Sequence, residues 1–214
     1  MSRSHLEQFQ DVVLAALPQA DSVLLPSELS RYLQPEVMAA AIGALQNNLP
    51  AADIILAASF DDPALIFELS LRLGIPFVTA QIVDVILSDD TDSSGFLQND
   101  QLLQVQVAEQ TIAIVKGAIP QNARVLVFRD VLDEGIMTLS LLHLTQYSGA
   151  SAVGVAALIE KSYLGGRNRI AMAVPGIEIQ ALVVLARAEG LVILEQRQVQ
   201  LLDLHIRKGK MGLS

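Results

Sequence analysis

The chain has 214 residues, a length that suits a single domain; 52% of them are hydrophobic and 17% are charged. A net charge of −9 argues against a general nucleic-acid binder, because that activity rests on Lys and Arg side chains that neutralise phosphates. The absence of cysteine excludes disulfides, thiolate metal sites and a cysteine nucleophile.

The hydrophobic content predicts a sheet buried on both faces, or a face buried against a second copy, so we expect a homodimer. The first residues carry Arg3, Glu7 and Asp11 instead of an uninterrupted apolar run, which predicts no secretory signal and a cytoplasmic location. The longest stretch without Asp, Glu, Lys or Arg, 135–159, contains a polar turn at 145–149, so we expect no membrane span.

The N-terminal third alternates helical and strand patterns. Apolar spacing and punctuation by Pro and Gly predict helices over 4–17, from Pro35 to about Asn48, and from Asp62-Pro63 to Gly74. Short apolar runs predict buried strands at 53–57 and 75–79.

The remainder continues in the same way after an acidic segment, 88–101, that we interpret as a loop. Alternation predicts a two-stranded ribbon at 105–107 and 111–115, and apolar runs predict strands at 125–128, 151–159 and 177–184, with a helix over 136–147. Strands that alternate with helices of these lengths predict an α/β fold with a parallel sheet and right-handed crossovers.

The most informative stretch is 124–167. A buried strand ends at Arg129-Asp130 and is followed by a tight loop and a helix, the position where α/β proteins bind anions through backbone N–H groups and the helix dipole. After the next strand the chain reads Ile159-Glu160-Lys161-Ser162, and then Gly165-Gly166-Arg167.

These segments resemble the type I phosphoribosyltransferases, and the second resembles the xanthine branch of the purine enzymes. Further similar segments are 23–38, which matches the hood over the base and the first long helix, and 71–78, which matches the second strand. The resemblance implies one domain over 1–214: an N-terminal helix and hood in 1–50, an α/β core in 51–200 and a tail in 201–214.

The resemblance also implies four elements that hold phosphoribosyl pyrophosphate, and this chain departs from the family pattern in each. Of the two adjacent acids that bind the ribose in the family, the first is replaced by Arg129 and the second is retained as Asp130, which is the candidate catalytic residue. The loop for the 5′-phosphate reads Asp133, Glu134, Gly135, Ile136, Met137, Thr138; the loop for pyrophosphate contains Ser59, Phe60, Asp61, Asp62; and a basic pair is replaced by Gln81, Ile82.

Acids at these positions oppose a phosphate dianion by several kcal/mol, about the cost of like charges a few ångströms apart at moderate dielectric. We therefore predict that tight binding of phosphoribosyl pyrophosphate is lost, although a bound Mg²⁺ would soften the repulsion. The base side is better kept, since the resemblance places Lys161 at an exocyclic oxygen of the purine, Leu29 and Ser30 under the hood, and Tyr163 as an aromatic wall. A purine-like small molecule is thus a candidate ligand.

Simpler interpretations of the same residues remain open. Asp133 and Glu134 would favour the start of the helix at 136, and Arg129 would form a surface ion pair with Asp130 or Asp133. Lys161 would extend along a loop edge. The acidic loop lacks the Glu that ends a calcium loop, since its twelfth position is Gln101, and the scattered histidines predict no metal site.

Two functions follow. The first is a regulatory or ligand-sensing relative of the purine phosphoribosyltransferases with impaired catalysis. The alternative is an active Mg²⁺-dependent enzyme that makes a nucleoside 5′-monophosphate and pyrophosphate from a purine of the xanthine type.

Overall fold

The structure is a computed structural model that describes residues 4–16, 34–83, 96–98, 101–107, 110–187 and 191–194. Its helices are α1 (His5–Ala16), α2 (Pro35–Gln46), α3 (Pro63–Leu73), α4 (Ile136–Tyr147) and α5 (Gly166–Ala173), with a 3-10 turn at Ser162–Leu164. Leu29, Ser30 and the predicted tail lie outside the described residues, as does most of the predicted hood.

The strands form one sheet. They are β1 (Ile54–Ala58), β2 (Phe77–Val83), β3 (Phe96–Gln98), β4 (Leu102–Val107), β5 (Gln110–Val115), β6 (Arg124–Leu132), β7 (Ser151–Lys161), β8 (Ile179–Arg187) and β9 (Leu191–Ile193), in the order β3-β4-β5-β2-β1-β6-β7-β8-β9. The five central strands, β2 to β8 in that order, run parallel, and the outer strands pair antiparallel. The predicted α/β fold with a parallel sheet is confirmed.

Alternate residues of the central strands feed two separate cores. Ile55 and Phe128 point into a core with α1, α2 and α3, whereas Leu56 and Val127 point into a core with α4 and the β4–β5 ribbon. Burial on both faces explains why these strands read as continuous apolar runs instead of alternating polar and apolar residues.

The helices after β1 and β6 lie on opposite faces of the sheet, which places a switch in strand order between these two strands. From β1 the chain crosses through α3 to β2 on one side, and from β6 it crosses through α4 to β7 on the other. Ligands of open α/β sheets bind at the carboxyl ends of strands at such a switch. The loops 58–62 and 131–135 therefore meet where a site is expected.

Local signals account for the helix bounds around that switch. The carboxylate of Asp62 accepts the N–H of Ala64 at the start of α3, Pro63 takes the first helical position, and Gly74 ends the helix with a φ of 66°. The predicted helix at 136 is also confirmed, with Gly135 at its N-cap in a left-handed conformation, φ 77°.

Two predictions about the elements were incomplete or wrong, and two elements were not predicted. The segment 88–101, predicted to be a loop, contains strand β3, which pairs with β4. Strand β2 continues to Val83, so Gln81 and Ile82 lie within it, paired with β5, and not at its end. Helix α5 and strand β9 were not predicted.

Several large apolar side chains of the described residues face outward. Phe67 and Leu71, one turn apart on α3, are 56% and 61% exposed, and Phe77 lies nearby in sequence at the start of β2. The homodimer stays a prediction that light scattering of the purified protein would test. No helix within the described part of the chain is long and apolar enough to cross a membrane.

Candidate functional site

The loop after β1, residues 58–62, is held by its own chain. Ala58 donates its N–H to the carboxylate of Asp61 at 2.8 Å, Asp61 donates its N–H to the carbonyl of Ala58, and Ser59 donates to the carbonyl of Ala80. Asp62 donates its N–H to the Asp130 carboxylate at 3.1 Å, across 68 positions of sequence. Most backbone donors of this loop are therefore already engaged.

Arg129 lies under that loop, in β6, which continues to Leu132 and so does not end at Arg129-Asp130 as predicted. Its side chain is 3% exposed, and its Nε donates to both oxygens of Asp61, at 2.8 and 3.1 Å. One terminal nitrogen lies 3.5 Å from the hydroxyl of Thr138, and the guanidinium stacks 5.3 Å from the centre of the Phe60 ring. The predicted surface ion pair with Asp130 or Asp133 is wrong: β1 and β6 are adjacent, so the loop after β1 supplies a closer and buried partner.

The charges around Arg129 keep its guanidinium ionised. Burial lowers the pKa of Arg129, but the charge of Asp61 and the hydrogen bonds to it outweigh burial, with further support from the charges of Asp130 and Asp133. The pKa of Arg129 therefore lies above its ordinary value. A buried ion pair of this kind fixes geometry more surely than it adds stability.

Asp130, the predicted catalytic acid, is fully buried. One oxygen accepts the N–H of Val131 at 2.7 Å and the other accepts the N–H of Asp62. Burial raises the pKa of Asp130 well above its usual range; the charge of Asp61 and a hydrogen bond between the two carboxyl groups raise it further, and Arg129 only partly opposes this. Both of its oxygens thus serve the backbone of this site.

The raised pKa of Asp130 predicts that stability falls as pH rises above 3.8, the ordinary value of this carboxyl. The folded state keeps a proton that the unfolded state releases, so each pH increment favours unfolding until the folded pKa is passed. Urea unfolding at about pH 5 and about pH 8 should show this loss. A flat or rising profile would contradict the prediction.

Two comparisons identify the groups that determine how stability changes with pH. Burial, the largest cause of the raised pKa of Asp130, is unchanged in Asp61→Asn, which removes only the charge of Asp61, so the profile should become shallower without becoming flat. The exposed Asp53 makes the opposite contribution at lower pH: a hydrogen bond from Arg124 lowers the pKa of Asp53 to about 2, so its stabilising effect is complete above 3.8 and is lost only as pH falls towards 2.

The loop after β6 is pressed against the loop after β7. A Cβ on Gly166 would lie 2.0 Å from the carbonyl oxygen of Asp133, and a Cβ on Gly135 would lie 2.9 Å from the carbonyl oxygen of Gly166. Helix α4 begins at Ile136 with no side-chain cap, so Asp133 and Glu134 precede the helix and do not lie in its first turn. Thr138 is buried, Met137 is half-buried and Ile136 is about one-third exposed.

A second buried ion pair fastens the base-side segment. Arg167 on α5 donates through Nε and Nη2 to the carboxylate of Glu160 at the end of β7, and through Nη1 to the carbonyl of Ile179. This pair joins β7, α5 and β8 behind the site. This pair was not predicted from the sequence. The signal that could have indicated it is Glu160, a single acid at the end of an apolar strand, which needs a buried cation as its partner.

Lys161 ends β7, next to Glu160, and Tyr163 lies in the 3-10 turn that follows; their role on the base side stays a prediction. Lys161 is only 8% exposed, and within the described residues its ammonium makes no ion pair. Tyr163 is half-buried against the first core, with the guanidinium of Arg187 5.2 Å from its ring centre. The hydroxyl of Ser162 donates to the carbonyl of Leu185 and holds the turn between them.

A divalent metal does not fit the carboxylates at the strand ends. Asp61 faces the Arg129 cation, and both oxygens of Asp130 accept backbone N–H groups. Among the residues that the structure describes, no group of three or more His, Cys, Asp and Glu side chains is arranged to hold a metal ion.

Comparison with known proteins places this architecture. No family model matches the chain. An adenine phosphoribosyltransferase of Thermobifida fusca is 28% identical over 153 residues, 69% of the chain and 78% of that relative. Xanthine phosphoribosyltransferases of Macrococcus caseolyticus and Ectopseudomonas mendocina are 25% and 32% identical, over 77% and 62% of the chain and 82% and 64% of the relatives.

Solved structures agree in fold. The adenine phosphoribosyltransferase of Rhodothermus marinus has a TM-score of 0.56 at 24% identity, covering 71% of the chain and 81% of that structure. The enzyme of Thermoanaerobacter pseudethanolicus has the same TM-score at 21% identity, covering 69% of the chain and 80% of that structure. The chain is therefore similar in sequence to purine phosphoribosyltransferases and shares the fold of the solved adenine phosphoribosyltransferases.

This similarity agrees with the type I fold and with the strand–loop–helix frame after β6. The roles that the family pattern gives to individual residues, from the loop 58–62 to Lys161, stay predictions. The structure brings the segments 58–62, 129–130 and 133–138 together at the ends of β1 and β6, and it places Lys161 at the end of the neighbouring strand β7.

Proposed function

We propose that this chain is a regulatory or ligand-sensing member of the purine phosphoribosyltransferase family, whose binding of phosphoribosyl pyrophosphate is impaired. The observation that carries the proposal is that the two polar side chains near the end of β6 are already bonded to other groups of this protein. In the family pattern this strand end presents two acids to the ribose, whereas here Arg129 is bonded to Asp61 and Asp130 accepts two backbone N–H groups.

The charge of this strand end also differs from the pattern. One carboxylate is replaced by a guanidinium, and the remaining carboxyl has a raised pKa because it is buried beside Asp61. A ribose whose hydroxyls need two ionised acceptors would find none that is exposed, since Asp130 has no exposed surface. Binding would first have to break the internal hydrogen bonds, each of which costs about 0.5–3 kcal/mol net.

The base side supports the ligand-sensing part of the proposal. Lys161 is only 8% exposed as a residue, and among the described residues no ion pair neutralises its ammonium, so this cation is available to a polar group of a ligand. Tyr163 offers an aromatic surface in the turn that follows it. A purine that carries an exocyclic oxygen is the proposed small-molecule ligand.

The alternative is an active Mg²⁺-dependent purine phosphoribosyltransferase of the xanthine type. It is favoured by the similarity to xanthine phosphoribosyltransferases and by the retained Asp130, Gly135, Thr138 and Lys161. The carboxylates described above offer Mg²⁺ no open set of protein ligands, so we derive no step through the metal.

Calorimetric titration of phosphoribosyl pyrophosphate with Mg²⁺, with and without xanthine, separates the two functions. We expect no binding up to about millimolar ligand, a limit that corresponds to roughly −4 kcal/mol. Micromolar binding, followed by transfer to xanthine, guanine or adenine, would establish the alternative. Titration of xanthine alone into Lys161→Met and the unmodified protein tests the base side, where we expect weaker binding by the variant.

A further inference from the structure

We propose that Asp61 is a specificity-determining residue that occupies the anion position of the loop 58–62 with its own carboxylate and so excludes diphosphate ligands. This inference rests on the proposed function and deepens it, because it names the ligand class that the site rejects. It concerns the loop after β1, whereas the proposed function is carried by the end of β6.

The backbone N–H groups of the loop 58–62 are mostly occupied. Four of its five residues, Ala58, Ser59, Asp61 and Asp62, donate their backbone N–H groups to acceptors of this chain. A ligand phosphate in such a loop is held by those same N–H groups and by a nearby cation. Of these four donors, Ala58 alone donates to a carboxylate of the loop itself, and that carboxylate belongs to Asp61.

The cation beneath the loop is occupied as well. Arg129 is the buried guanidinium beneath the loop, and its Nε contacts both oxygens of Asp61. Asp61 is itself almost fully buried, at 1% exposure. Its carboxylate therefore meets one backbone donor and one guanidinium, the contacts that a phosphate group would seek at this position.

The negative charge of Asp61 would compete with a ligand for this position. A diphosphate that approached Arg129 would displace or face the carboxylate of Asp61, with Asp62 and Asp130 close behind it. Like charges at a few ångströms repel strongly in a buried environment, and Asp61 cannot leave without breaking its bonds to Ala58 and Arg129. A ligand without phosphates does not need to bind at the position of the Asp61 carboxylate. This is consistent with the proposal that an unphosphorylated purine binds at the base side.

Removal of the Asp61 carboxylate is the direct test, with inorganic pyrophosphate as the probe at constant ionic strength. We expect Asp61→Ala to bind pyrophosphate about tenfold or more tightly than the unmodified protein, the gain from one freed charge-assisted contact. Because the variant also strands a buried Arg129, formate should raise its melting temperature more than it raises that of the unmodified protein, by refilling the vacated position.

Asp61→Asn serves as the second variant if Asp61→Ala does not fold. Its amide keeps an oxygen for the N–H of Ala58 but loses the negative charge, so a smaller gain in pyrophosphate binding is expected. Glu160→Gln is the matched control: it neutralises the other buried carboxylate paired with an arginine, and it should gain no affinity for pyrophosphate.

The inference would be overturned if folded Asp61 variants bound pyrophosphate no better than the unmodified protein, or if Glu160→Gln gained as much. Its failure is distinct from that of the proposed function. Turnover of phosphoribosyl pyrophosphate by the unmodified protein would refute the proposed function, whereas the comparison of Asp61 and Glu160 variants is decided by relative affinity for pyrophosphate alone.

Discussion

Replacing Arg129 with methionine is expected to lower the free energy of unfolding by about 3–5 kcal/mol, the usual cost of removing one partner of a buried ion pair. Methionine fills much of the volume of the arginine stem, so the loss reports the charge and not a cavity. The carboxylate of Asp61 would remain buried beside Asp130 with no cation against it. Urea unfolding followed by circular dichroism measures the change.

Arg124→Met is the matched control, since Arg124 lies on the same strand and also pairs with an aspartate. That pair is exposed, with side-chain exposures of 50% for Arg124 and 47% for Asp53, so its removal should change stability little. Combining Arg129→Met with Asp61→Leu should recover most of the lost stability, because an apolar pair replaces the whole ion pair. Equal losses in the two arginine variants would show that burial is not the deciding factor.

Replacing Gly166 with alanine is expected to destabilise the protein by about 1–3 kcal/mol or more, the range for overpacking a tight contact. The new methyl carbon would lie 2.0 Å from the carbonyl oxygen of Asp133 and 2.8 Å from the nitrogen of Gly135, and both are backbone atoms that cannot rotate away. The segment 131–138 must shift. We therefore expect faster amide hydrogen exchange in this segment and a lower unfolding midpoint.

Gly43→Ala tests whether this effect is specific. A methyl group at Gly43, inside α2, would meet the terminal nitrogen of Arg72 at 2.9 Å, and that flexible side chain can move. Alanine also favours a helix over glycine by about 1 kcal/mol, so this variant should be unchanged or more stable. If Gly166→Ala were equally harmless, the contact between the two loops would not be as tight as described.

The sequence predicted the parts of the fold that depend on local patterns. Continuous apolar runs such as Val125–Phe128 predict strands buried on two faces, and the Asp62-Pro63 start and Gly74 end of α3 are signals within a few residues. Helix α5 was missed because Gly165 and Gly166, which stand at its start, do not favour a helix. Strand β3 was missed because it is only three residues long and follows an acidic stretch, although its partner β4 comes directly after it in the chain.

The site was predicted by position but not by its contacts. Resemblance located Arg129, Asp61 and Lys161, yet the interpretation of Arg129 considered only partners close in sequence. Its actual partner is 68 positions away and is brought near by the adjacency of β1 and β6. Which charged groups pair is decided by strand order, and strand order is a property of the whole sheet, which no local pattern of charges reports.

The pairing of Arg129 with Asp61 also limits how this chain can change by point mutation. Losing either residue alone leaves a buried charge without its partner, at a cost of about 3–5 kcal/mol. That is a large share of the roughly 5–15 kcal/mol by which a typical domain is stable. A lineage that exchanged one of the two residues would pass through a less stable intermediate unless both codons changed together. The ion pair therefore constrains its two positions to change together and not one at a time.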